Sequence, residues 1–121
     1  MKFILDKTQP NITQVRVACG YLFIIIGYDE NAKIRFFFEV SHRGGGCQAN
    51  LEAIAKLLSL WYQDGRLNKT KAIEELEEID CLNCHKWKGT LLAENKSLPE
   101  DWNRSCANAI SKVLKNVEIK E

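Results

Sequence analysis

The hydrophobic pattern over the first forty residues predicts a small β-sheet. Apolar residues alternate with a charged one over residues 15–17, and residues 21–26 form an unbroken apolar run rich in β-branched and aromatic side chains. Such a run is typical of a strand that is buried on both faces. After turn-forming residues at 27–31, alternation over 34–40 predicts an antiparallel neighbour with one partly solvated face. Phe37 lies on that solvated face, which points to self-association into a homo-oligomer.

The pattern becomes helical after residue 46. Apolar side chains over residues 51–62 recur at intervals of three and four, and Gly65 is placed to end that helix at its C-terminus. A second, shorter helix is predicted from about Lys69, with Asn68 or Thr70 as its N-terminal cap. The sequence therefore predicts that the chain changes from strands to helices near its middle.

A third helical region is predicted near the C-terminus. Residues 97–100 have the form of a capping box that would open it. The apolar positions that follow form one amphipathic stripe, namely Cys106, Ala109, Ile110, Val113, Leu114 and Val117. Residues 81–84 are expected in a loop after the second helix, and residues 86–102 form either a surface elaboration or a binding loop.

Strands followed by helices predict an α+β fold, with a small antiparallel sheet in the N-terminal half packed against about three helices in the C-terminal half. The 121 residues match the commonest size of one domain, so residues 1–121 are expected to form a single unit.

Composition and charge exclude several functional classes. Apolar residues make up 45% of the chain and charged residues 27%, the balance of a soluble globular protein. The 17 basic and 16 acidic residues nearly cancel, which argues against generic nucleic-acid binding. The N-terminal apolar run is too short for a signal peptide, and no run approaches the roughly 18 residues of a membrane helix. We expect a cytoplasmic protein without a membrane partner.

Five cysteines carry the candidate chemistry: Cys19, Cys47, Cys81, Cys84 and Cys106. In a reducing compartment, metal ligation or redox chemistry is favoured over structural disulfides, and an odd count fits four ligands plus one thiol. Zinc takes four ligands in a tetrahedron, and a Cys-x-x-Cys pair with distant cysteines is a usual way to supply them. Cys47 and Cys106 fall near predicted helix starts, where the backbone dipole and unpaired N–H groups favour the thiolate.

The segment Cys81-Leu82-Asn83-Cys84-His85 has three interpretations: a c-type haem attachment site, half of a zinc site and a redox dithiol. We discard haem for two reasons: the only candidates for a second axial ligand are His42 and Met1, and covalent haem attachment belongs to exported proteins, whereas no export signal is present. A thioredoxin-like site is disfavoured because the pair follows a helix rather than a strand. Electron transfer through thiols to a partner protein stays open.

The order of these motifs resembles the TSCPD domain, a cysteine-containing module found at the C-terminal end of cobalamin-dependent ribonucleotide reductases and also as a free-standing chain. The resemblance rests on four segments, which are Cys19-Gly20, Gly45-Gly46-Cys47-Gln48-Ala49-Asn50-Leu51-Glu52-Ala53, Cys81-Leu82-Asn83-Cys84 and Ser105-Cys106-Ala107-Asn108-Ala109-Ile110. All five cysteines fall on family cysteine positions. The sequence departs from the family at Leu82, which replaces a proline, and in the motif Thr-Ser-Cys-Pro-Asp, which here is Arg104-Ser105-Cys106-Ala107-Asn108.

The resemblance implies a zinc-binding module associated with nucleotide reduction, with a reductase or another protein as its partner. It does not imply reductase activity, because the catalytic barrel of those enzymes does not fit in this chain. The ligands expected on this basis are Cys81, Cys84, Cys106 and one of Cys47 or Cys19. Cys47 is preferred because its position at a helix start favours the thiolate.

A glycine-rich segment supports an alternative function. The residues His42, Arg43, Gly44, Gly45 and Gly46 lead directly into the first predicted helix. Backbone N–H groups at that helix start would face an anion, and an arginine can contact a phosphate through two hydrogen bonds. No Gly-Lys-Ser/Thr follows, so the segment is not a P-loop, and the glycines also suit a tight turn. The alternative is therefore a protein that binds, and sequesters, a nucleotide or another small molecule.

Overall fold

Three antiparallel strands form the main sheet: β2 (Asn11–Val17), β3 (Gly20–Tyr28) and β4 (Ile34–Val40), in the order β2-β3-β4. The computed structural model describes residues 3–4, 9–18, 20–41, 47–96 and 102–118. A separate parallel pair joins β1 (Phe3–Ile4) to β5 (Val117–Glu118). The antiparallel sheet predicted for the N-terminal half is confirmed.

One face of the main sheet forms the core. The central residues Leu22, Ile24 and Ile26 are fully buried, and alternate residues of β4 are buried beside them. The prediction that residues 21–26 are buried on both faces is wrong, since Tyr21 is 44% exposed. Buried residues of the helices join the same cluster as the inner face, so the opposite face lies toward solvent.

Helix α1 (Cys47–Gln63) packs along β4. Its side chains form hydrogen bonds with the backbone N–H and C=O groups on the edge of β4 that faces away from β3. Gln48 Oε1 accepts a hydrogen bond from the Val40 N–H (2.9 Å), Ser59 Oγ accepts one from the Phe36 N–H (2.9 Å), and Gln63 Nε2 donates one to the Ile34 carbonyl (2.7 Å). An edge strand whose polar groups are bonded in this way is a poor template for another strand.

The predicted ends of the first two helices are confirmed. Gly65 adopts a left-handed φ of 69° just after α1, where its N–H donates to the Tyr62 carbonyl (3.0 Å). Helix α2 (Lys69–Glu77) starts after Asn68, whose side chain accepts from the Lys71 N–H (3.0 Å). These local signals work because glycine tolerates the left-handed φ that closes the end of α1, and because the asparagine side chain accepts a hydrogen bond from an N–H that the start of α2 leaves unpaired.

Helix α4 (Cys106–Asn116) carries the predicted apolar stripe, and it packs mainly against α2. Residues 97–100, the predicted capping box, lie outside the described residues, and the helix begins at Cys106 with Ser105 as its cap. Lys69 Nζ donates a hydrogen bond to the Val117 carbonyl, which ties the start of α2 to the end of α4. The predicted α+β class is confirmed.

A fourth helix, α3 (Leu82–Ala93), occupies sequence for which a loop was predicted. The loop prediction for residues 81–84, and for much of 86–102, is wrong. Only Cys84 is buried in this helix, while Leu82 and Leu92 are 69% and 55% exposed. Because its apolar residues do not gather on one face, periodicity gave no signal for it. No helix in the described part of the chain is long and apolar enough to cross a membrane.

Candidate functional site

The start of α4 is organised by a reciprocal cap around Cys106, its first residue. Ser105 Oγ accepts a hydrogen bond from the Asn108 N–H (2.9 Å), and Asn108 Oδ1 in turn accepts one from the Arg104 N–H (3.4 Å). This arrangement pairs one N–H that the first turn of the helix leaves unpaired, that of Asn108, and also pairs the N–H of the residue before the cap. Asn108 also donates from Nδ2 to the Glu77 carbonyl at the end of α2 (3.3 Å). Cys106 is therefore held at a capped helix start that is bonded to α2.

The Cys-x-x-Cys pair lies at the start of α3 and is attached to the start of α4. Cys81 is the N-terminal cap residue of α3, with extended backbone angles, and its N–H donates to the Arg104 carbonyl (2.8 Å). Cys84 falls in the first turn of the helix and is 2% exposed. One backbone hydrogen bond thus joins the two helix starts that carry Cys81, Cys84 and Cys106.

An ion-pair cluster lies beside the α3–α4 junction, which is the place where Cys81 bonds to Arg104. Asp80 Oδ1 lies 2.9 Å from Arg104 Nε and accepts a hydrogen bond from His85 Nε2 at 2.9 Å. The hydrogen bond from His85, together with the positive charge of Arg104, holds the pKa of the Asp80 carboxyl below its ordinary value despite some desolvation. The ion pair thus links Asp80, the residue before the cap of α3, to Arg104, the residue before the cap of α4.

Aromatic contacts hold the first half of α3 in place. The His85 ring lies edge-on to the Trp102 ring, with centroids 5.5 Å apart, and Lys88 Nζ lies 4.9 Å from the Trp102 centroid. The guanidinium of Arg16, on β2, makes a cation–π contact with Trp87, at 5.5 Å from the centroid of the Trp87 ring. The helix is thus held by stacking and cation–π contacts, with little apolar burial.

The contact between Arg16 and Trp87 relates α3 to the sheet. Arg16 pairs with Tyr21 near the end of the sheet where β2 finishes and β3 begins. Cys47, half-buried, begins α1 at the same end, because Gln48 bonds to Val40 and Val40 pairs with Leu22. Cys47 and the helix that carries Cys84 therefore lie near one end of the sheet. The predicted placement of Cys47 and Cys106 at helix starts is confirmed.

A complete ligand set is not assembled in the described structure. Among the described residues, no three His, Cys, Asp or Glu side chains are grouped so that they could hold a metal ion. Cys47, Cys81, Cys84 and Cys106 are thiols and form no disulfide with one another. Cys19 lies outside the described residues, as does the whole proposed anion site formed by His42, Arg43, Gly44, Gly45 and Gly46.

Sequence patterns missed the residues that build the junction. The ion pair between Asp80 and Arg104 and the hydrogen bond from Asn108 to Glu77 join positions far apart in the chain, the latter 31 residues apart. The one available signal was the four-residue segment from Ser105 to Asn108, whose polar ends match a helix cap. His85, treated above only as part of a haem signature, contributes instead to the ion-pair cluster.

Comparison with protein-family models matches residues 4–118 to the TSCPD domain. The match spans nearly the whole chain of 121 residues. Searches of curated proteins and of solved structures gave no match.

Proposed function

This chain belongs to the TSCPD domain family, and from that premise we propose that it is a small zinc-binding module. It is not catalytic by itself and serves nucleotide reduction, or nucleotide metabolism more broadly, as an accessory of a reductase or another protein. The proposed ligands are Cys81, Cys84, Cys106 and a fourth cysteine, Cys47 in preference to Cys19.

The observation that carries the proposal is the hydrogen bond from the Cys81 N–H to the Arg104 carbonyl. It joins the first turn of α3, with two cysteines, to the first turn of α4, with a third. A zinc site commonly combines a Cys-x-x-Cys segment with cysteines from another element, which is the combination found at this junction.

The donor chemistry at the junction suits zinc. Cys106 and Cys84 lie in the first turns of helices, where the helix dipole favours a thiolate over a thiol. Thiolate sulfur is a preferred zinc ligand, and all four sulfurs can come from cysteine. Asp80 and Arg104 are already paired with each other, which leaves the thiols as the donors for a metal.

The described thiols do not surround a common point, so zinc binding has to be coupled to their reorientation. Little apolar packing opposes this movement at the start of α3, because Cys84 is the only buried residue of the helix. A turn of the Cys81 and Cys84 side chains toward Cys106 needs no change in the core of the sheet. On this proposal the metal contributes to the stability of the α3–α4 junction.

The test measures metal and thiols on the same protein, purified without chelator. We expect about one zinc per chain and four thiols that react with a thiol reagent only after the metal is removed. Cys84→Ser and Cys106→Ser should lose the zinc, while only one of Cys47→Ser and Cys19→Ser should do so. The serine variant that retains zinc is the matched control, and it identifies the spare thiol.

The same measurement distinguishes the alternatives. A zinc content near zero, with all thiols reactive from the start, would contradict the zinc proposal. Two fast-reacting thiols that oxidise reversibly, without metal, would support electron transfer to a partner instead. Heat on titration with common nucleotides, lost in Arg43→Ala, would support the sequestering alternative at residues 42–46.

A further inference from the structure

The solvent-facing side of the sheet carries a row of apolar side chains that crosses all three strands. Ile12, Ile25 and Phe37 are direct cross-strand neighbours, with Ile25 in the centre. Ile12 is 61% and Phe37 50% exposed. Solvated sheet faces normally carry polar residues, so an exposed apolar row across the full width of a sheet marks an interaction surface.

The two rows of residues beside this central row differ in two ways: they carry opposite charges, and their side chains on β3 differ in size. On one side, Phe23 in β3 lies next to Glu39 in β4, which gives a bulky and acidic flank. On the other side, Gly27 lies next to Arg35, which gives a small and basic flank. Because Arg35 and Glu39 are two residues before and after Phe37, the outer face of β4 is basic, apolar and acidic in order.

We propose that this face binds a second copy of the chain, with the twofold axis lying between the two sheets and running along the row Ile12–Ile25–Phe37. A twofold interface places the same patch on both sides, so each residue of the central row meets its own counterpart. The rotation also brings each flank against the opposite flank of the other copy. Arg35 then faces Glu39 of the second copy, and the same pair forms twice.

The shape of this sheet face supports the same twofold arrangement as its charges do. A depression lies on the small and basic flank, where β3 has a glycine instead of a larger residue. The residues that line it include Pro10, Ile25, Gly27, Arg35 and Phe37. A β-carbon at Gly27 would come within 3.2 Å of Pro10 Cβ, so a larger residue there would narrow the depression. The proposed rotation places Phe23 of the second copy opposite Gly27. The large side chain of one flank thus meets the recess of the other.

Arg35 lies where an ion pair with Glu39 of the second copy requires it. Its guanidinium carbon lies 5.4 Å from the centroid of the Phe37 ring, so the cation rests on the outer face beside the axis. The Nε atom of Arg35 is buried and has no hydrogen-bond partner among the described residues. A carboxylate from a second copy would compensate a cation whose side chain is partly desolvated.

The size of the face determines how strong the dimer can be. Three strands at about 4.8 Å spacing and seven residues at about 3.4 Å each give a face of roughly 14 Å by 24 Å. This area, roughly 340 Å² per copy, is well below the about 800 Å² per partner of a standard interface, so we expect weak, reversible association with a dissociation constant of about 100 µM. Pairing through the β4 edge is disfavoured because α1 already satisfies that edge.

The test is sedimentation velocity of the full chain between about 1 and 200 µM, the range expected for such an interface. We expect a monomer–dimer equilibrium for the unaltered protein and a monomer at every concentration for Phe37→Arg. Arg35→Glu and Glu39→Arg, each alone, place like charges opposite each other twice and should weaken the dimer at least tenfold. The double variant Arg35→Glu/Glu39→Arg restores opposite charges and should return to within about threefold of the unaltered protein.

The matched control is Leu57→Arg, which changes a 46% exposed apolar residue of α1 that lines the groove between α1 and α2. It should leave the dimer unchanged. The proposal is overturned if the unaltered protein stays monomeric throughout the range, if Leu57→Arg dissociates the dimer as Phe37→Arg does, or if the double variant remains as weak as the single ones.

Discussion

The cap of α4 gives a prediction whose magnitude follows from the structure. Asn108→Ala removes two long hydrogen bonds, one from the Arg104 N–H (3.4 Å) and one to the Glu77 carbonyl (3.3 Å). Asn108 is only 7% exposed, so water does not readily replace the lost partners. A donor or acceptor left without a partner in such a site costs about 1 kcal/mol, so the variant should lose about 2 kcal/mol of unfolding free energy.

Ser105→Ala tests the other half of the same cap. It removes the acceptor of the Asn108 N–H, at 2.9 Å, and the loss of an N-terminal cap costs about 1 kcal/mol. The matched control is Asn116→Ala in the last turn of α4, where an exposed side chain donates to the Lys112 carbonyl (3.1 Å). An exposed hydrogen bond of this kind exchanges with water, so the control should change stability by less than about 0.5 kcal/mol.

The assay is urea unfolding at pH 7 and 25 °C, followed by circular dichroism, with each variant measured with and without chelator. For 121 residues, 1 kcal/mol corresponds to roughly 4 °C in melting temperature, so Asn108→Ala should melt about 8 °C lower. The reasoning is refuted if Asn108→Ala and Asn116→Ala lose equal amounts. It is also refuted if Asn108→Ala loses less than about 0.5 kcal/mol, because the contact to α2 would then contribute nothing.

Two further predictions concern the ion-pair cluster and the edge of the sheet. The pKa of Asp80 is lowered in the folded protein, so its stabilisation is present above the ordinary aspartate pKa of about 3.9 and is lost as pH falls through the lower folded value. Asp80→Asn should therefore be less stable than the unaltered protein at pH 6, with a difference that shrinks as the pH falls below the ordinary aspartate pKa; a difference independent of pH would contradict this. Ser59→Ala removes the acceptor of the buried Phe36 N–H and should lower the unfolding free energy by about 1 to 2 kcal/mol in urea titrations. Thr90→Ala, which removes an exposed hydrogen bond to the Lys86 carbonyl, serves as its control and should change stability by less than about 0.5 kcal/mol.

The candidate site was only partly accessible from the sequence. The cysteines were recognised from their type and spacing, and two of them were correctly assigned to helix starts. The helix that carries Cys81 and Cys84 was missed, because its apolar residues are spread around its circumference and Leu82 and Leu92 face solvent. Periodicity reports only those elements that separate a buried face from an exposed one.

Local chemistry alone determined the strands β2 to β4, the end of α1 at Gly65, the cap of α2 at Asn68 and the apolar stripe of α4. Each of these depends on residues within one or two turns of each other, so the pattern is written in a continuous segment. Tertiary structure decided which face of the sheet is buried, how α1 bonds to the edge of β4, and how Arg104 joins the starts of α3 and α4. Those features depend on hydrogen bonds and ion pairs between distant segments, and such contacts leave no periodic signal along the chain.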